Sequence, residues 1–158
     1  MHRELITFEV AGQMFGLDIM AIREIRAWSP ATRLPHVPPY VAGVVNLRGT
    51  VLPVIDLAVR LGWRATEPGP RHAIIVTQSA VSHGAQLGGW IVDAVSDIIA
   101  VPADALQLPP AGTGHDGVMP FLHGLIAAGD RMVMVLDLEA LLGLPAPGTP
   151  RDADAQAA

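Results

Sequence analysis

Two aspartates, Asp56 and Asp137, are the residues whose placement most suggests chemistry. They lie 81 residues apart, in the similar segments VIDL and VLDL, and a pair of carboxylates could act as general acid and base. Each aspartate, however, directly precedes a short apolar run that ends at a glycine, which is the pattern of an N-capped helix with a C-terminal glycine. Because such a cap stabilises a helix by about 1 kcal/mol without any chemistry, we predict that both aspartates are helix caps.

A glycine-rich string and the histidines are the other candidates for a site. The string GTGHDG at 112–117 matches the G-x-G-x-x-G pattern of dinucleotide-binding loops. Such a loop must leave a strand and open a helix, whereas prolines stand on both sides of this string. The six histidines lack metal-ligand spacing and the chain has no cysteine. We therefore expect a loop tip, surface histidines, no metal, no cofactor and no catalytic residue.

Composition excludes further classes of function. The net charge is −5, with ten arginines and no lysine, and only seven aromatic residues are present. These numbers argue against a nucleic-acid-binding or anionic-membrane-binding protein. No apolar run approaches the roughly 18 residues of a membrane span, and the N-terminus lacks the apolar core of a signal peptide. The absence of cysteine is typical of a reducing compartment, so we expect a cytoplasmic protein.

The turn Asn46-Leu47-Arg48-Gly49 remains as a candidate for binding. A glycine at its end can supply the positive φ that a tight turn needs, so Arg48 would project from a rigid hairpin tip. Arginine is enriched at the energetic centres of protein interfaces, although a solvated arginine explains the same pattern. Upstream, Ile22 and Glu24 are candidates for the same surface, with ordinary core and solvated charge as the alternatives.

The element that positions this turn occurs twice in the chain. Segment 43–62 (GVVNLRGTVLPVIDLAVRLG) aligns with segment 124–143 (GLIAAGDRMVMVLDLEALLG), with six identical positions in twenty. Segment 16–25 likewise aligns with 89–98, at an offset of 73. Two copies of about 70 residues, each marginal alone, predict two subdomains packed as one body. The NLRG turn occurs in the first copy alone.

Short apolar runs punctuated by glycine and proline predict strands throughout. Segments 41–45 and 51–55 read as a hairpin around the turn, and runs this apolar suggest closed barrels. Two short helices are predicted at 57–61 and 138–142. The tail at 145–158 contains little to bury, and we expect it to be disordered.

Four blocks together resemble the CheW family of chemotaxis coupling proteins. They are GLDIMAIREI (16–25), GVVNLRGTVLPVIDL (43–57), 89–98 and 124–142. The resemblance covers nearly all of residues 4–144. It implies an all-β fold of two packed five-stranded SH3-like barrels with a few short helices. Residues 1–144 would form a single domain of two intertwined subdomains, roughly 14–65 and 86–144, completed by the N-terminal and 71–80 strands.

The resemblance also implies a non-enzymatic adaptor that couples chemoreceptors to the histidine kinase CheA. Its partners would be the receptor cytoplasmic hairpin tip and the CheA regulatory domain, within membrane-associated receptor arrays. It would be monomeric in isolation. Carried over by position, the receptor-binding residues are Ile22, Gly43, Asn46, Leu47, Arg48 and Gly49. The kinase-binding residues carried over in the same way are Glu24, Val51 and Ala73.

Three alternatives stay open beside the coupling protein. A hydrolase that uses the aspartates would have carboxylates within reach of one another rather than at helix starts. A double barrel that binds a small ligand between its barrels would show convergent polar groups in a concave pocket. An adaptor of a related chemosensory pathway, such as pilus-based motility, would carry a similar module.

Overall fold

The computed structural model describes residues 2–65, 67–81, 84–108 and 118–143. Its strands are, in chain order, β1 (His2–Val10), β2 (Gln13–Asp18), β3 (Ile22–Ala27), β4 (Val41–Leu47), β5 (Thr50–Asp56), β6 (Ala73–Val81), β7 (Gly84–Val92), β8 (Ala94–Pro102), β9 (Leu122–Ala128) and β10 (Arg131–Leu136). The helices are α1 (Leu57–Arg60) and α2 (Leu138–Gly143), with 3₁₀ turns at Ile19–Ala21 and Met119–Phe121. The glycine-rich string at 112–117 and the tail at 145–158 lie outside the described residues.

The strands form two five-stranded sheets, each curled into a barrel. Barrel 1 has the strand order β3-β6-β7-β5-β4 and barrel 2 the order β8-β1-β2-β10-β9. Neighbouring strands are antiparallel except at β5–β7 and β2–β10, which are parallel. The two barrels therefore share one topology, as the internal repeat predicts.

The two copies of the repeat exchange strands. The first copy contributes β3, β4 and β5 to barrel 1 but β2 to barrel 2, while the second contributes β8, β9 and β10 to barrel 2 but β7 to barrel 1. The barrels thus divide the chain differently from the expected subdomains at 14–65 and 86–144. The cause is local, because the short connections at Ile19–Ala21 and Asp93 carry the chain from one sheet into the other.

One hydrophobic core joins the barrels and two smaller cores fill them. The joint core draws on strands of both sheets and on both helices, and includes Phe8, Phe15, Trp90, Phe121 and Leu141. Barrel 1 also encloses Leu47, Leu52, Val54, Ile74 and Val76, and barrel 2 encloses Leu5, Val101, Ile126 and Val135. Because the largest core lies between the barrels, they form one body.

Both short helices are capped as predicted. The Asp56 side chain accepts a hydrogen bond from the Val59 amide at 3.3 Å, so it caps α1. The Asp137 side chain accepts from the amides of Glu139 and Ala140 at 3.1 and 3.2 Å, so it caps α2. The repeat thus preserves these aspartates for a structural reason.

Candidate protein-binding surface

The β4–β5 hairpin closes in a two-residue turn formed by Arg48 and Gly49. Leu47 pairs with Thr50, so two residues connect the strands. Both have positive φ, +49° for Arg48 and +88° for Gly49, as in the type I′ turn that suits the twist of a hairpin. The Gly49 amide donates to Asn46 Oδ1 at 2.7 Å. The turn is therefore well defined, and the Arg48 side chain is 67% exposed at its tip.

Arg48 reaches back to Glu24 on the other edge of the same barrel. Its Nη2 lies 2.5 Å from Glu24 Oε1, and Arg26 Nη1 lies 3.7 Å from Glu24 Oε2. The hydrogen bond from Arg48 is the main cause that lowers the pKa of Glu24, and the same bond raises the pKa of Arg48. The pair orients the guanidinium and joins β3 to the hairpin tip.

The second copy of the hairpin has different chemistry at its tip. Gly129 and Asp130 stand where the first copy has Arg48 and Gly49, and only Gly129 of these two has a positive φ, +64°. A carboxylate replaces the guanidinium at the tip of barrel 2. The exposed charge is therefore reversed between two turns built on one scaffold.

The residues carried over from the family occupy three kinds of position. Asn46, Arg48, Gly49 and Val51 are exposed, and Ile22 and Glu24 are partly buried. Gly43, Leu47 and Ala73 are buried and present little surface to solvent. These are the six carried-over receptor residues and the three carried-over kinase residues.

Gly43 shows why a buried position can matter to this surface. A Cβ built on Gly43 would lie 2.1 Å from the Thr32 carbonyl oxygen, and one on Gly124 would lie 2.5 Å from the Gln107 carbonyl oxygen. In each barrel a loop segment crosses here and pairs with the strand, Thr32 with Val44 and Gln107 with Leu125. Glycine is needed for this close approach.

Exposed apolar residues recur in both barrels, and of the four concerned only Val51 had been named from the sequence. Ile25 and Ile98 are 42% and 52% exposed, and Val51 and Met132 are 69% and 50% exposed. Ile25 and Ile98 are equivalent positions at the offset of 73, and Val51 and Met132 are equivalent positions at the offset of 81. Scattered exposed apolar residues are ordinary, but recurrence at equivalent sites of both barrels marks a shared feature. The repeat alignment could have identified these positions, because it pairs an apolar residue with an apolar residue at each of them.

The features that could support an enzyme or a ligand site are limited in the described part of the chain. Burial raises the pKa of Asp56, which remains engaged in its helix cap. A groove of about 340 Å³ beside α1 is lined in part by Arg33, His36 and Asp56. One histidine prediction is wrong: His72 is nearly buried, with Nε2 3.4 Å from Asp93 Oδ1.

The described residues contain neither a cluster of metal ligands nor a helix that could span a membrane. No group of three or more histidine, aspartate or glutamate side chains there could hold a metal ion. Among the helices of that same part of the chain, none has the length and apolar character to cross a membrane.

Comparison with known proteins decides the family. The family model described as "CheW-like domain" matches residues 4–145. The chain belongs to the CheW-like family. A relative from Rhizobium etli, "Probable chemotaxis protein CheW", is 47% identical over 139 residues, covering 88% of this chain and 86% of that protein. The "Chemotaxis protein CheW" of Rhizobium meliloti is 46% identical over the same length and coverage.

A solved CheW structure has the same fold. The scaffolding protein TtCheW from Thermoanaerobacter tengcongensis matches with a TM-score of 0.80 and 28% identity, covering 91% of this chain and 90% of that one. The predicted fold, two five-stranded SH3-like barrels with a few short helices, is confirmed. The predicted membership of a chemotaxis coupling family is confirmed as well.

Proposed function

We propose that this protein is a non-catalytic adaptor that binds the cytoplasmic hairpin tip of a chemoreceptor and the regulatory domain of the kinase CheA. It acts in the cytoplasm, is monomeric in isolation and joins membrane-associated receptor arrays. The observation that carries the proposal is the Arg48 turn, an exposed and oriented guanidinium on a rigid hairpin. Its counterpart in barrel 2 lacks the arginine.

The receptor-facing surface is formed by the exposed residues of the turn and the adjoining strand β3. Arg48 supplies a charge-assisted contact that orients the receptor tip, and the partly buried Ile22 of β3 supplies apolar area. Asn46 and Gly49 hold the turn geometry through their hydrogen bond. The buried Gly43 and Leu47 support this surface from inside the barrel.

The kinase-facing surface lies on the same barrel. Val51 is 69% exposed and is its apolar anchor, and Glu24 is its charged member. Ala73 is buried at the start of β6, where it pairs with Ala27 of β3. Because Glu24 is bonded to Arg48, the ion pair stands at the boundary between the two proposed surfaces. Binding of one partner would then alter the charge that the other meets.

Barrel 2 offers a second apolar contact for a partner. Ile98 and Met132 repeat the exposed positions of Ile25 and Val51 on the second copy of the scaffold. An adaptor that joins partners needs more than one contact surface. We propose that these residues contribute to assembly with kinase or receptor.

The experiment is a co-sedimentation assay with a receptor-tip fragment and a CheA regulatory domain from the same organism, each alone and both together. The parent protein should bind each, and Val51→Glu should lose the kinase domain while retaining the receptor. Arg131→Gln, which changes an exposed arginine at the start of β10, is the control and should behave as the parent. Binding of the parent to neither partner would contradict the proposal.

The groove beside α1 supports a second candidate function, a small-ligand site. Arg33 and His36 lie with Asp56 along this half-open surface, and a ligand with an anionic group would suit the two basic residues. A thermal-shift screen of small carboxylates and phosphates tests this candidate. A stabilised protein that binds neither chemotaxis partner would favour the groove over the adaptor.

A further inference from the structure

Arg60 is a cation buried between the two barrels. Its side chain projects from α1, is 1% exposed and is among the largest fully buried side chains of the described residues. Burying a guanidinium costs free energy unless its surroundings compensate. A buried cation in the hydrophobic core between the barrels therefore needs a physical explanation.

Two aromatic rings and a backbone carbonyl contact the guanidinium. Its central carbon lies 4.6 Å from the ring centroid of Tyr40 and 4.7 Å from that of Phe121. Arg60 Nε donates to the Leu141 carbonyl oxygen at 2.8 Å. Cation–π attraction and a directional hydrogen bond thus hold the group.

These partners are related by the internal repeat. The offset of 81 that aligns the hairpins also aligns Tyr40 with Phe121, and Arg60 with Leu141. The backbone repeats the relation, because Asp56 N donates to Tyr40 O and Asp137 N to Phe121 O, each at 2.8 Å. Arg60 therefore contacts both rings of one equivalent pair and donates to the backbone of its own counterpart. A residue that contacts its own counterpart lies close to the axis that would relate the two copies.

A single arginine at such an axis has a physical logic. Tyr40 precedes β4 of barrel 1 and Phe121 precedes β9 of barrel 2, so the planar guanidinium touches a ring from each barrel. A second guanidinium at position 141 would bring two like charges together in the seam, which is unfavourable. Leucine there leaves room for one cation and supplies its carbonyl. The two copies therefore differ at this position, with Arg60 in the first and Leu141 in the second, because the seam between the barrels has room for one guanidinium only.

We propose that Arg60 is a positioning residue that fixes the orientation of the two barrels relative to each other. This inference rests on the proposed adaptor function in one respect, namely that the fixed orientation holds the partner-binding surfaces of both barrels at a defined angle. A planar cation between two rings resists sliding of one barrel against the other. An aliphatic residue fills the same space without directional contacts.

The first test measures the barrels without any partner. Because the chain contains no cysteine, Thr50→Cys and Arg131→Cys place spin labels at exposed, equivalent sites on barrels 1 and 2. Pulsed dipolar spectroscopy should give a narrow distance distribution for this labelled protein. Adding Arg60→Leu, the residue of the second copy, should broaden or shift it, whereas Arg64→Leu at an exposed site should not. Superimposable distributions with and without Arg60→Leu would overturn the inference.

The second test measures the consequence for assembly. Unlabelled Arg60→Leu should bind the receptor tip and the CheA regulatory domain singly as the parent does, but form the three-component complex about tenfold less well, a usual size for coupling between sites. Arg60→Lys should retain the charge and lose the stacking. Its ability to form the three-component complex should therefore lie between those of Arg60→Leu and the parent. If Arg60→Leu does not fold, Tyr40→Leu, which removes one ring, should give the same broadening. If the parent binds neither partner but Arg60→Leu still broadens the distance distribution, the adaptor function is overturned and the role of Arg60 is supported.

Discussion

Arg48 holds an unusual backbone conformation in order to present its side chain. A positive φ is costly for a residue with a Cβ, and the second copy avoids the cost by placing Gly129 at the same point. Strain of this kind tends to persist at functional sites. The sequence indicated the tight turn and the positive φ of Gly49. It could not indicate the positive φ of Arg48, because arginine has no preference for that region.

Asp56 illustrates a residue whose structural role has a measurable pH dependence. Burial is the main cause that raises its pKa, so the folded protein holds this proton to a higher pH than the unfolded chain. Stability therefore falls as pH rises from the ordinary aspartate pKa through the raised folded value. Asp56→Asn keeps an acceptor for the Val59 amide and removes the charge.

We expect the stability of Asp56→Asn, relative to the parent, to increase as pH rises through that window. Asp56→Ala also removes the acceptor and should be less stable than Asp56→Asn by about 1 kcal/mol. Urea unfolding of the three proteins between acidic and neutral pH measures both effects. A difference between Asp56→Asn and the parent that does not vary with pH would contradict the assigned burial.

At the scale of elements, the strand–loop crossing in each barrel depends on one glycine. Gly43 and Gly124 are identical in the repeat because a loop backbone passes against each of them. The sequence showed that the glycines recur and that the hairpins form. It could not show the crossing, since the segments that touch, 32 with 44 and 107 with 125, carry no pairing signal. Segment 16–25 likewise contains a 3₁₀ turn at Ile19–Ala21 that was not predicted.

Gly43→Ala should destabilise the protein by about 3 kcal/mol, the upper part of the usual range for overpacking, because its Cβ would overlap the Thr32 carbonyl. Gly143→Ala is the matched control, since no atom lies within 4 Å of a Cβ at that position. Chemical denaturation of both variants measures the difference. Equal midpoints for Gly43→Ala and the parent would mean that the loop does not pass where the structure places it.

At the scale of the whole molecule, the exchange of β2 and β7 makes the two copies interdependent. Each is paired in parallel with a strand of the other copy, Gly16 opposite Val135 and Gly89 opposite Val54. The repeat predicted two similar barrels. It left the exchange open, because a duplicated sequence is equally compatible with two barrels built from contiguous halves. Which strand completes which barrel is decided by contacts between the copies.

The exchange predicts that residues 1–65 alone do not fold as a monomer. This fragment holds β1 to β5 and α1, which are divided between both barrels, so neither core can close. Far-ultraviolet circular dichroism and analytical ultracentrifugation of the fragment test this, with the full chain as the control. A folded monomeric fragment with the strand content of a complete barrel would contradict the exchanged topology.

The most direct test of the adaptor is the affinity of Arg48→Gly for a receptor-tip fragment. Glycine, the residue at the equivalent point of barrel 2, keeps the turn and removes the guanidinium, so Tm should stay close to that of the parent. Loss of an interfacial hot spot should weaken receptor binding by at least about tenfold, while Arg131→Gln binds as the parent does. An Arg48→Gly protein that binds the receptor tip as tightly as the parent would contradict the account.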